Sequence, residues 1–500
     1  MSGRSSVHKR FEHEWARDSE SVRRGHGGQL DAVSRSKLRN DAFKSSLPCK
    51  IKGIILLGFL WLSASDQRRK QKTHIAKKQP VKVNVYMTSK RKPQLLPLTG
   101  IRFCLALWVV LFHQPFFPDF QWLSWFPVPV PVLIRAGFLA VGVFFVLSGF
   151  VLSYNYPLGE DWSWKAVAKF GIARFSRIYP AYCVGLLLCT PFVVHPLLKQ
   201  FSLAKLRSFL TVASLNWTLT QAWLPSTAQS WNGPGWSLSV ETFFYCCFPL
   251  VGVALWRISH PFSILVASVL LWAGSLIVPL SIALWAQPSM TDQFWVSLIL
   301  YNPLLHLPQF CIGILIGKTY HLLRSKNSIL LGRGYYLYVP GLFLEVIAIS
   351  FHNSRGGYGF ALHNGLLLPL HSLIILGLSL GGGTFARLLS IRPLVFLGNA
   401  SYALYILHMP VANWMKYIGQ WVFSTKLEGF GATALYIVIV VCLSSIVLKT
   451  IEEPVTHTLK KLSARGAAQF SQHIGRLFGP DTTNLPAHPA ATSAQGNSRP

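Results

Sequence analysis

Two residues that an apolar helix should not carry stand eleven apart in LTGIRFCLALWVVLFHQ: Arg102 and His113. Ionisable side chains inside hydrophobic helices are costly and usually face a cavity or a partner. Eleven steps of about 100° come within about 20° of three whole turns, so both project from one face, about 16 Å apart along the axis. A neutral imidazole there can take a proton from an attacking hydroxyl or carry an acyl group itself. The same pair also fits a snorkelling anchor and a histidine at headgroup level. In NGPGWSLSVETFFY, Ser237 and Glu241 lie four apart on one helical face beside Trp236. Glu241 is the only carboxylate near that segment, and a carboxylate can orient an imidazole. Arg174 and Arg177, three apart in ARFSRIYPAY, can clasp phosphate bidentately or serve as ordinary anchoring charges. FLGNASYALYILHMPV sets Ser401, Tyr405 and His408 at i, i+4, i+7, a polar stripe on one face. Ser148-Gly149 reads as small-residue helix packing. Glu345, His306, His363 and His371 are weaker candidates. No CxxC and no His/Cys cluster with zinc spacing occurs, so no metal site is expected.

The elements that must position these residues are hydrophobic runs at about 98–117, 134–156, 179–198, 236–256, 263–286, 294–317, 335–351, 361–380, 394–413 and 430–450, each near the length a bilayer requires. The pattern predicts an all-α, polytopic integral membrane bundle of about ten transmembrane helices. Residues 205–224, with Lys205, Arg207 and LNWTLTQAW, form an eleventh, interfacial segment. Loops placed inside by a cytoplasmic N-terminus hold eleven Lys and Arg, against seven in the outer loops. This bias, together with basic tails at both ends, predicts cytoplasmic N- and C-termini in the plasma membrane.

Composition agrees. Charged residues make up 13% of the 500-residue chain and hydrophobic ones 51%, whereas soluble domains carry about 25% charged. The net charge of +30 suggests nucleic acid, but its distribution does not. Residues 1–97 hold 22 Lys and Arg against 7 Asp and Glu, or +15, half the total. Much of the rest lies in short loops between apolar runs, so no nucleic-acid partner is expected. Residues 1–92 read as a basic disordered extension and 461–500 as a disordered tail, flanking a membrane domain at 93–460. The apolar run Gly53–Ala64 is too short to span. Met87, opening MTSKRKPQLLPLTG, is a candidate true start. Seven of the eight cysteines fall within apolar segments and read as small buried hydrophobes.

Taken in order, these strings resemble the acyltransferase 3 family of membrane O-acyltransferases, which acylate surface polysaccharides, peptidoglycan, lipids and some antibiotics. The resemblance rests on G-I-R-x10-H at Gly100–His113, FFVLSGF at Phe144–Phe150, RFSRIYPAY at Arg174–Tyr182 and WSLSVETFFY at Trp236–Tyr245. It continues through LGNASYALYILHMPV at Leu397–Val411 and IEEP at Ile451–Pro454. It implies that His113 is essential for transfer, that Arg102 shares its motif, and that Arg174 and Arg177 handle the donor. Many members have acids where this chain carries Thr99 and Gly142, and the closing motif here is Glu452-Glu453-Pro454.

The expected chemistry is transfer of an acyl group, with acetyl the expected one, from acyl-CoA as co-substrate to a hydroxyl of a carbohydrate or lipid-linked acceptor. No permanently bound cofactor is expected, and the sequence leaves the oligomeric state open. The rival class is a multi-pass transporter or flippase using the same ionisable residues as a pathway.

Overall fold

Apolar runs of this length leave the backbone no partner in lipid but itself, so they fold as helices. The computed structural model describes residues 93–116, 130–156, 158, 162–285, 293–350 and 357–462. The basic extension, the run Gly53–Ala64, Met87 and the tail from residue 463 lie outside the described residues. The chain divides between Lys90 and Arg91, and every described residue belongs to the second unit.

In chain order the helices are α1 (Leu96–His113), α2 (Val130–Arg135), α3 (Leu139–Asn155), α4 (Trp164–Lys199), α5 (Leu203–Trp217), α6 (Trp236–Trp256), α7 (Pro261–Trp285) and α8 (Gln293–Tyr301). They continue with α9 (Pro303–Ser325), α10 (Tyr335–Ser350), α11 (Gly357–His363), α12 (Leu368–Leu380), α13 (Thr384–Leu389), α14 (Arg392–Trp421) and α15 (Gly429–Val447), closed by a π-helical turn at Leu448–Glu452. Among the described residues eight segments are long and apolar enough to cross a membrane, and α3 and α10 are shorter apolar helices. Together they account for the ten expected spans. The protein is a polytopic helical membrane bundle with no strand among the described residues. The interfacial segment forms α5, in which only Asn216 is buried, followed by a 3-10 turn at Gln221–Trp223.

Two of the spans are broken. Between α8 and α9, Asn302 caps the second piece by accepting from the Leu304 N–H at 3.0 Å, and Pro303 sits at its first position. Between α11 and α12 the chain turns through Gly365 at φ +114°, a conformation that favours glycine. Irregular backbone at membrane depth is tolerated where it lines a cavity or is buried in protein. Both breaks border the wider of the cavities described below.

The structure moves one expected boundary. The sequence reading starts the third span at 179 and leaves Arg174 and Arg177 in a loop, whereas α4 begins at Trp164 and runs unbroken for 36 residues. Ser163 caps it by accepting from the Ala166 N–H at 3.3 Å. At 1.5 Å per residue α4 is about 54 Å long, well beyond a hydrocarbon core of about 30 Å. Hydropathy detects only the stretch suited to lipid, so the two arginines belong to the helix itself.

The α3–α9 crossing explains Gly149. A Cβ there would come 2.1 Å from the Phe310 carbonyl oxygen, and one on Gly313 would come 2.1 Å from that of Val146. Each glycine lets the opposite backbone approach, as small residues do in membrane helix pairs. Gly313→Ala should therefore lower stability by about 1–3 kcal/mol through overpacking. A reduced thermal midpoint of the detergent-purified protein, relative to Gly431→Ala in open space, checks this.

Candidate active site

Five helices place polar side chains around one narrow cavity of about 90 Å³. Arg102 comes from α1, Ser148 from α3, Arg174 and Arg177 from α4, Ser237, Glu241 and Tyr245 from α6, and Ser401, Tyr402 and Tyr405 from α14. Ser148 is thus a cavity residue as well as the neighbour of a packing glycine. Its Oγ donates to Glu241 Oε1 at 3.3 Å, and the Tyr245 hydroxyl donates to the same oxygen at 2.5 Å. Ser237 Oγ lies 2.9 Å from the Tyr405 hydroxyl and 3.0 Å from the Pro234 carbonyl oxygen. Tyr402 donates to the Ile178 carbonyl at 2.6 Å, tying α14 to α4. Ser401 donates to Gly398 of its own helix at 2.8 Å.

The arginines here are held but not neutralised. Arg174 donates to the Tyr156 hydroxyl at 3.0 Å and lies 5.4 Å from the centre of that ring, while its Nε has no partner. Among the described residues none of Arg102, Arg174 and Arg177 is within salt-bridge distance of a carboxylate; the ion pairs found there are His371–Glu345 and Lys449–Glu453. Three cations and one carboxylate, Glu241, thus line this cavity, an arrangement that could receive an anionic group. Arg174, Arg177 and Tyr402 also line an adjoining cavity of about 390 Å³, where Glu452, His457 and Lys460 contribute. Glu452 sits in the π-helical turn with one carboxylate oxygen unpartnered; such turns often mark functional positions.

His113 stands in a different space. It lines a wide cavity of about 660 Å³ with Trp231, Trp236, Tyr301 and His363, the last two at the ends of the broken helices α8 and α11. Val141 and Tyr405 line both this cavity and the narrow one, so the two lie on either side of these side chains. His113 Nδ1 lies 3.0 Å from the Val109 carbonyl oxygen. A carbonyl only accepts, so Nδ1 carries the proton and Nε2 of the neutral ring keeps its lone pair. The expectation that Glu241 could orient this imidazole is not met: Glu241 is bonded to Ser148 and Tyr245 and lines the narrow cavity. A second imidazole, His408, packs near His113, with centroids 5.1 Å apart. The stripe on α14 thus follows the route, from Ser401 and Tyr405 at the narrow cavity to His408 behind His113.

The weaker candidates gather into one cluster. His371 Nε2 lies 3.2 Å from Glu345 Oε1. Gln309 Nε2 donates to His306 Nδ1 at 3.2 Å, and the His306 and His363 rings are 5.6 Å apart. The sequence reading did not select Tyr245, Tyr402 or Gln309. Tyr245 had a signal, lying one turn from Glu241, whereas Tyr402 and Gln309 are defined by partners far away in the chain. Among the described residues no group of three or more His, Cys, Asp or Glu is arranged to hold a metal.

Residues 97–449 match the model of an acyltransferase domain. The chain belongs to the acyltransferase 3 family. Over 171 residues, 32% of this chain and 40% of the relative, it is 35% identical to the acyltransferase MdmB of Streptomyces mycarofaciens. Over 334 residues, 64% of this chain and 51% of the relative, it is 23% identical to the O-acetyltransferase OatA of Staphylococcus aureus. The chain thus spans about two fifths to one half of the length of these curated relatives. No solved structure matches it. The chain is a multi-pass membrane protein of that family, and Arg102, His113, Arg174, Arg177 and Glu241 all lie within the matched domain.

Proposed function

We propose that this acyltransferase takes an acyl group, most simply acetyl, from acyl-CoA and delivers it to a hydroxyl of a carbohydrate or lipid-linked acceptor. The observation that carries this reading is the adjacency of three spaces with different character, which share lining residues in sequence. The nucleotide and phosphates of the donor suit the cavity where Arg174, Arg177, His457 and Lys460 stand with Glu452 and Glu453. A slender pantetheine arm suits the narrow passage past Arg102, which has no room for a nucleotide. The acceptor suits the wide cavity, where the His113 Nε2 lone pair is available. The positive-inside bias favours a cytoplasmic arginine end, where acyl-CoA is found, and a histidine end toward the outer face of the plasma membrane. The names of relatives such as OatA favour an acetyl group and an oxygen acceptor.

In the reaction His113 Nε2 takes the acceptor's hydroxyl proton as the oxygen bonds to the thioester carbon. The carbon–sulfur bond then breaks, and the departing thiolate takes the proton from Nε2. Radiolabelled acetyl-CoA, supplied to the arginine side in inside-out membrane vesicles from cells expressing the full chain, tests the reading. The expected result is label joined covalently to an acceptor, with one CoA thiol released per label. Movement of unreacted label across the membrane, without thiol release, would instead assign a transporter.

A further inference from the structure

His408 is among the most deeply buried polar residues of the bundle, fully inaccessible to solvent, yet one of its ring nitrogens has no partner. Its Nδ1 lies 2.6 Å from the Tyr405 carbonyl oxygen, so Nδ1 carries the proton and Nε2 is a bare acceptor. Leaving a buried acceptor unsatisfied is costly, so a specific reason for it should be sought. Two polar rings pack against this imidazole: Tyr405 at 5.9 Å and His113 at 5.1 Å. The Tyr405 hydroxyl is engaged by Ser237 and the Pro234 carbonyl. That leaves His113, whose neutral form has no hydrogen to offer, because its one N–H is directed to Val109.

We propose that His408 is a positioning residue whose Nε2 accepts a hydrogen bond from His113 only after His113 has become protonated. The inference rests on the assignment of His113 as the base. The acceptor O–H bond breaks, and its proton forms a new N–H bond at His113 Nε2. While the tetrahedral intermediate stands, that N–H turns to the lone pair of His408 Nε2. When the carbon–sulfur bond breaks, the thiolate takes the proton and His408 is left unpaired again. An acceptor fixed in advance where positive charge develops stabilises the charged state without stabilising the resting one, and such differential binding raises turnover. His408 lines neither cavity, so it should affect turnover and not the binding of either substrate.

Two substitutions separate this role from packing. His408→Asn keeps an amide near the Nδ1 position, able to donate to Tyr405, and removes the group at Nε2. His408→Gln reaches the Nε2 position with an amide oxygen that can accept. In the vesicle assay, with acetyl-CoA varied, the Asn variant should lose about 10- to 100-fold in maximal rate, the worth of one charge-assisted hydrogen bond, with KM for acetyl-CoA unchanged. The Gln variant should recover most of that loss. Both should match the unaltered chain in membrane abundance and thermal midpoint to within a few degrees. Equal rates for the two variants, or a loss tracking a fall in stability, would overturn the pairing while leaving His113 as the base. Activity that survives His113→Ala in the same assay would remove the reading on which the pairing rests.

Discussion

Replacing His113 with Ala should lower acyl transfer about 10²- to 10⁴-fold, the range general-base catalysis contributes, while the protein still inserts and folds. The effect should be large because no other nitrogen takes its place. His408 Nε2 is buried behind it, and the His363 ring, across the wide cavity, is packed against Phe138, Trp236 and His306. The structural cost should be small. His113 ends α1, is only partly buried, and makes its one hydrogen bond to its own helix at Val109. His113→Gln makes the test sharper by keeping bulk and polarity without a basic nitrogen, and it should be as inactive as Ala. Covalent label from acetyl-CoA, normalised to membrane abundance, is the measurement. Transfer within a few-fold of the unaltered chain in either variant would dismiss His113 as the base.

What the sequence made legible here follows the range of the interactions concerned. Helix positions were readable because hydropathy is local and lipid enforces helical backbone, so even the short α3 and α10 were expected near their observed places. The shared face of Arg102 and His113 was readable from one helix period, and the i, i+4, i+7 stripe on α14 likewise. The partners were not. Glu241 looked suited to His113 because it was the sole acid near its segment, but pairing depends on depth. It lies beside Ser148 and Tyr245 in the narrow cavity, while His113 opens into the wide one. Glu345 and His371, on α10 and α12, were each unremarkable alone. Only helix packing brings them to 3.2 Å. The arginine pair reads as part of a loop because the lipid-matched hydropathy begins well after α4 does. Thr99 and Gly142 show how side chains meet backbone across helices, which no local pattern reports. The Thr99 carbonyl lies where a Cβ on Gly398 would come within 1.9 Å, and Gly142 faces Gln309 and His371.

Replacing Arg174 and Arg177 together with Gln should raise KM for acetyl-CoA about 10- to 100-fold and lower maximal rate much less. Removing one partner of a desolvated charge pair costs about 2–5 kcal/mol, and each 1.4 kcal/mol is about tenfold in affinity. The lower part of that range applies, because both side chains are only partly buried and Lys460 and His457 remain in the adjoining cavity. Gln is chosen because it keeps hydrogen-bonding capacity while removing the charge. Arg174 is also braced against Tyr156 and Phe170, so its loss releases a small aromatic contact as well as a cation. The decisive comparison is a shortened donor, acetyl-pantetheine, which has the same thioester and arm but neither nucleotide nor diphosphate. If the arginines hold phosphate, the unaltered protein should use this donor poorly, and the double substitution should make that no worse. If they instead shape the passage or support α4, both donors should lose equally. Salt gives an independent check, since a phosphate–guanidinium contact at a partly open mouth is screened. Raising ionic strength should increase KM for acetyl-CoA in the unaltered protein and leave that for acetyl-pantetheine unchanged. Equal losses for both donors together with a flat salt response would remove the arginines from donor binding and leave the anion for this end of the bundle to be sought elsewhere.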